Sequence, residues 1–175
     1  MRNWKEYLIE TLFRSGLYYH GSNKDDIVYF ELKDESKDNF RLLGDGIYFV
    51  KNKKEASKYG KYIYISNINK KDFRILDDKY KITKSNIEGL LTNLGVDVSK
   101  VQSVLGMENI LWWFVDAYKY LNLNRSFVVN KVKRFFEIIY SFDGISVKYP
   151  SMGDVLVIWN QDKFKIASPI DVIIK

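Results

Sequence analysis

The chain has 175 residues, a length that one domain over 1–175 accommodates, with ordinary globular proportions of 46% hydrophobic and 29% charged residues. It carries no cysteine and one histidine, which excludes a disulfide framework, a thiolate nucleophile and a metal centre of thiolates or clustered imidazoles. The formal charge of +6 is compatible with a nucleic-acid partner, but the lysines alternate with acids, as in "NKKDFRILDDKYK", and form no dense basic block.

The first residues, "NWKEYLIETLF", put Trp4, Tyr7, Leu8 and Leu12 on one helical face, with Asn3 and Glu6 at capping-box spacing and Gly16 as the stop. No signal-peptide pattern precedes them and no apolar run approaches a membrane span, so a cytoplasmic protein without membrane contact is expected. "GLYYHGS" reads as a short strand. Residues 23–43 read as a polar loop, with a short strand considered at "IVYF". "GDGIYFV" reads as a turn into a strand or a first helical turn, and "NKKEASKYG" as a short helix capped by Asn52 and ended by Gly60. "KYIYISNI" and "DFRILD" are expected strands.

From Thr83 to Tyr140 the spacing becomes helical. "KSNIEGLLTNLG" ends at a glycine stop. "NILWWFVDAYKYL" predicts one face from Leu111, Phe114, Val115 and Tyr118. "SFVVNKVKRFFEIIY" does the same with Val128, Val132, Phe135, Phe136 and Ile139. "GISVKY", "DVLVIWN" and "DVIIK" return to strands. Strands at both ends with helices between them predict a single α+β domain.

The lone histidine, His20, means little by itself. It opens an ordered set: "YHGS", then "GDGIYF", then "ASKYG", then "GDVLVIWN". This order resembles the diphtheria-toxin-like, or H-Y-E, class of ADP-ribosyltransferases, which includes the poly(ADP-ribose) polymerases, and its small bacterial and mobile-element members. The likeness spans residues 16–68 and 140–166 and includes the eleven-residue step from Tyr48 to Tyr59.

The resemblance implies an ADP-ribosyltransferase-like split β-sheet pair with flanking helices and a nicotinamide cleft between "YHGS" and "GIYF". NAD would be the co-substrate, with no metal. His20 would hydrogen-bond the adenosine ribose. The backbone of Gly21 would grip the nicotinamide carboxamide, which needs a close approach without Cβ, and Ser22 would add a hydroxyl. Tyr48 and Tyr59 would flank the cationic ring, where cation–π attraction is worth roughly 0.5–2 kcal/mol.

The family's late strand usually opens with Glu; here Asp154 stands in that place, one methylene shorter. Asp143 in "FDGI" is the competing acid, and a chain with no working acid is the third possibility. Met152 stands two residues before Asp154, where arginine-modifying relatives carry Gln or Glu, and their Arg-Ser-Glu signature is missing. The implied catalytic set is therefore His20, Tyr48 and Asp154. The implied reaction is transfer of one ADP-ribose unit to a protein or nucleic-acid acceptor, with nicotinamide released. An antitoxin or inhibitor protein is a further possible partner. The alternatives are an NAD glycohydrolase, a catalytically weak NAD- or ADP-ribose-binding module, and a basic nucleic-acid binder without NAD.

Overall fold

In the computed structural model, residues 16–25, 27, 30, 42–167 and 170–174 are described. The helix expected over residues 3–15 and most of the strand considered at 27–30 lie outside them.

Among these residues seven strands form one mixed sheet: β1 (Leu17–Ser22), β2 (Ile47–Val50), β3 (Tyr62–Asn67), β4 (Ile75–Asp77), β5 (Gly144–Tyr149), β6 (Gly153–Ile158) and β7 (Ile170–Ile174), in the spatial order β4-β5-β6-β2-β1-β3-β7. All neighbours are antiparallel except β4 and β5. The α+β architecture matches the expectation. The split into two sheets does not, because β2 carries the hydrogen-bonded ladder from β6 across to β1. That joint is slender. Six registered pairs join β1 to β3 and four join β2 to β6, whereas β1 and β2 share the single pair Tyr19–Val50.

Strand side chains alternate between faces, so the sheet supports two cores. On one face Ile145, Val147, Val155 and Val157 pack with Ile87, Leu90, Trp113, Phe114, Val132 and Phe136 from α2 (Lys84–Asn93), α3 (Ile110–Val115), α5 (Arg125–Arg134) and the turn that follows it. On the other, Ile47, Phe49, Leu156 and Ile158 meet Tyr18, Tyr64, Phe30, Phe73 and Phe164, the last from α6 (Gln161–Ala167). Burying each such side chain is worth roughly 1.5–3 kcal/mol. No helix among the described residues is long and apolar enough to cross a membrane.

The helices follow local chemistry. Thr83 and Asn86 form a capping box at the start of α2, and Gly95, at φ 72°, follows its last turn. One predicted face is turned from its expected phase, and a second, buried as expected at Val128, Val132, Phe135 and Phe136, departs at its last residue. "NILWWFVDAYKYL" breaks at Asp116 into α3 and α4 (Ala117–Tyr120), which buries Ile110, Trp113, Phe114 and Ala117 while Leu111, Val115 and Tyr118 are half-buried. After α5 the backbone widens into a π-helical turn over Phe135–Ile139; the extra residue in that turn rotates Ile139 out to 57% exposure.

Candidate functional site

Where β1 and β2 part beyond their single pair, a cavity of about 440 Å³ opens on the helix-bearing face. Tyr19, His20 and Gly21 come from β1, Tyr48 and Val50 from β2, and Ala56 and Tyr59 from α1 (Lys53–Ala56) and its following turn. Leu42, Leu43 and Gly46 form a second wall, and Tyr149, Met152 and Val155 close the third from the β5–β6 hairpin. The fold thus gathers His20, Gly21, Tyr48 and Tyr59 around one space, His20 at its edge, with its ring turned to the opposite face of the sheet among Phe30, Phe49 and Tyr64. Ser22 and Asp154 are not on its lining.

His20 is held rather than loose. Its Nδ1 lies 2.8 Å from the Tyr48 carbonyl oxygen. A carbonyl only accepts, so the proton sits on Nδ1 and Nε2 keeps a lone pair. The ring packs edge-on against Phe30 at 4.6 Å and tilts against Phe49 at 5.9 Å. Burial pushes the imidazole below its usual pKa, against the smaller opposing effect of the Tyr48 hydrogen bond. The neutral ring is an acceptor at Nε2.

Gly21 is required by packing. A Cβ there would stand 2.0 Å from the Ala56 carbonyl oxygen and 3.2 Å from Tyr59 Cβ. The missing side chain lets α1 press directly onto β1. Asn52 caps α1 by accepting from Lys54 N–H at 2.9 Å, and Ala56 is fully buried. This short helix delivers Tyr59 to the cavity mouth, where 54% of the residue is exposed and its hydroxyl donates to Met152 Sδ at 2.9 Å.

Tyr48 ties down the facing wall. Its hydroxyl donates to the Gly44 carbonyl at 2.8 Å and accepts from Leu43 N–H at 3.0 Å. Gly44 adopts φ 84°, a left-handed turn that suits glycine, and the Leu43 carbonyl also accepts from Trp159 Nε1 at 3.2 Å. With its hydroxyl engaged in the loop, Tyr48 offers the cavity the ring.

Asp154 is exposed at the start of β6, after Gly153 at φ 72°. Alternation along β6 puts it on the side of Leu156 and Ile158, whereas Val155 faces the cavity. It lines a neighbouring hollow with Lys51, Lys53 and Lys148, which shares Tyr19 and Met152 with the cavity. The Asp154 charge reaches Tyr18, whose phenol burial first and this carboxylate second push up to about 12. Lys51 stacks over the Tyr18 ring at 3.9 Å. Burial and then the Lys70 charge lower its pKa, while Asp154 opposes them.

Asp143 has a different task. It is buried; Oδ2 accepts from Arg74 N–H at 2.8 Å and from Lys163 Nζ at 2.6 Å, and Oδ1 accepts from Asn160 Nδ2 at 3.1 Å. It precedes Gly144, which pairs with Ile158, at the end of the hairpin away from Asp154. Four strand residues, roughly 13 Å, separate those ends. Asp143 ties β4, β5 and α6 together.

Tyr149 was absent from the sequence-derived site, although the alternation Ile145, Val147, Tyr149 in "GISVKY" sets it on the core face with Val155 and Val157. Burial raises its pKa, and the charge of Arg125 acts in the opposite direction to a lesser degree.

No protein-family model matches the chain, and no curated protein matches it. Among solved structures the chain is similar to one described in the words "Crystal structure of an anti-CRISPR protein", over 90% of this chain and 94% of that one, with 15% sequence identity and a TM-score of 0.47.

Proposed function

We propose that the protein is an NAD-dependent mono-ADP-ribosyltransferase of the ADP-ribosyltransferase-like fold, which passes ADP-ribose to a macromolecular acceptor and releases nicotinamide. One observation carries this reading: a single cavity collects His20, Gly21, Tyr48 and Tyr59, residues far apart in the chain that the sequence resemblance had already grouped. Its volume falls within the 300–1,000 Å³ typical of small-ligand sites.

NAD supplies an activated glycosidic bond, whose electron pair leaves with nicotinamide as the acceptor's nucleophile bonds to the anomeric carbon and loses its proton. The residues bind and orient. Nε2 of His20 accepts from a ribose hydroxyl. The edge of β1 at Gly21, which has no registered partner on β2 among the described residues, presents backbone groups to the carboxamide. The rings of Tyr48 and Tyr59 flank the heterocycle. Asp154 stabilises the positive charge that develops on the sugar.

The position of Asp154 favours a second reading. An acid outside the cavity lining is what a binding module with weak or no turnover would have. Nicotinamide release, measured with and without protein and nucleic-acid acceptor pools, separates the two. An active enzyme should lose at least a hundredfold in turnover with Asp154→Asn while NAD affinity changes little. Equal turnover by wild type and Asp154→Asn would remove the aspartate from the mechanism. Nicotinamide release from Asp154→Glu but not from wild type would establish the binding module. No NAD binding by wild type would dismiss both readings.

A further inference from the structure

Several lysines of this chain meet a carboxylate three or four residues away, among them Lys58, Lys100, Lys119 and Lys133. Lys131 and Arg134, on α5 off its buried face of Val128 and Val132, meet none among the described residues. They line a groove of about 310 Å³ in which Asp45 is the one carboxylate against three cations. Phe127 stands on the same lining at 43% exposure, with Lys131 Nζ 5.7 Å from its ring centre. Steps of four and three residues set Phe127, Lys131 and Arg134 in one row. Beside that row the half-buried Asn130 side chain makes no hydrogen bond among the described residues.

The groove abuts the cavity. Gly44 lies against the Lys133 side chain, where an added Cβ would stand 3.0 Å from Lys133 Cβ. Asp45 faces the groove, whereas Leu43 and Gly46 line the cavity. One turn of chain, residues 43–46, is the wall between them.

Chemistry narrows the partner. An acidic peptide would use the cations and leave the ring and the amide idle. A nucleic acid uses all three: cations meet phosphates, an aromatic face stacks a base, and an amide offers the paired donor and acceptor that a base edge reads. A duplex hides the faces of its bases, so the strand on Phe127 is single.

We propose that the α5 groove binds single-stranded nucleic acid, with a base on Phe127, Asn130 at its edge, and Lys131 and Arg134 on the flanking phosphates. Its place beside the cavity makes this strand the ADP-ribose acceptor, a role that rests on the NAD reading. The transfer joins a nucleophilic atom of the strand to the anomeric carbon, releases that atom's proton to water and sends the bonding pair out with nicotinamide.

The test follows labelled single-stranded DNA and RNA oligonucleotides by fluorescence anisotropy over a series of salt concentrations. Phe127→Ala should weaken binding about tenfold, the worth of one stacked base. Lys131→Gln combined with Arg134→Gln should reduce the slope of log affinity against log salt by about 1.4, two phosphates at roughly 0.7 each. Both variants should keep the wild-type melting temperature and NAD affinity. Equal oligonucleotide affinity in wild type and Phe127→Ala, or equal displacement of the strand by polyglutamate, would overturn nucleic-acid recognition and leave a general cationic surface. No oligonucleotide binding by wild type would overturn the groove outright. Binding without transfer of label from NAD to the strand would overturn the acceptor role, and no NAD binding would overturn the NAD reading while the groove stood.

Discussion

A histidine anchored through Nδ1 to a carbonyl has one chemical freedom left, the lone pair on Nε2, and the cost of protonating it is felt by the whole fold. Because burial lowers the His20 pKa below its ordinary 6.5, the unfolded chain binds more protons than the folded one between the two values. Stability therefore rises with pH across that window, is fully present above 6.5, and is lost as the pH falls through it. Melting temperatures measured between about pH 5 and 7.5 should drop toward the acid side. His20→Gln, which can still donate to the Tyr48 carbonyl, should flatten that part of the profile. A wild-type slope that survives in His20→Gln would assign it to the carboxylates. At this scale the sequence was informative: "YHGS" and "GIYF" held five of the cavity's residues in short, recognisable strings. Tyr149 escaped because a place on a cavity wall is a property of surroundings, and nothing in "GISVKY" distinguishes it from the core tyrosines.

Helix α1 is held to β1 by an absence. Gly21→Ala would drive a methyl group to 2.0 Å from the Ala56 carbonyl oxygen, a backbone atom that cannot swing aside. The variant should lose about 1–3 kcal/mol in chemical denaturation, as overpacked sites do. It should also displace Tyr59 and weaken any cavity ligand; a variant as stable as wild type would mean that α1 yields at little cost. The sequence reading assigned this glycine to ligand contact, whereas its geometry gives helix packing as a sufficient reason. Elements were legible where chemistry is local: Asn52 and Gly95 mark ends that the structure keeps, whereas α1 stops at Ala56, four residues before the expected Gly60. They were misread where a break or a widened turn changes the phase, at Asp116 and Phe135–Ile139, because a fixed helical period carries no memory of either.

Across the whole molecule, the alternation of strands and helices revealed the α+β class, but strand order did not follow from it. β7 returns to pair with β3, on the far side of the sheet from β6, and no local signal specifies that path. Nor did the scattered lysines reveal that Lys51 and Lys148, almost a hundred positions apart, meet beside Asp154. The slender joint between β1 and β2 has a consequence for motion. Opening it breaks one registered pair, the His20–Tyr48 hydrogen bond and the packing of Tyr18 and Tyr64 against Ile47 and Phe49, and leaves the ladders of β4-β5-β6-β2 and β1-β3-β7 intact, which makes this joint the place where the sheet would part first. Native-state amide exchange should report this as a sub-global opening. Amides of 17–22 and 47–50 that turn toward the joint should exchange at lower free energy than those between β5 and β6. A ligand that spans the cavity from Gly21 on one leaf to Met152 on the other, as proposed for NAD, should raise protection at 17–22 and 47–50 together, whereas uniform protection without ligand would mean that the leaves separate only when the molecule unfolds. A site laid across such a line is a clasp: the molecule it holds also closes the sheet.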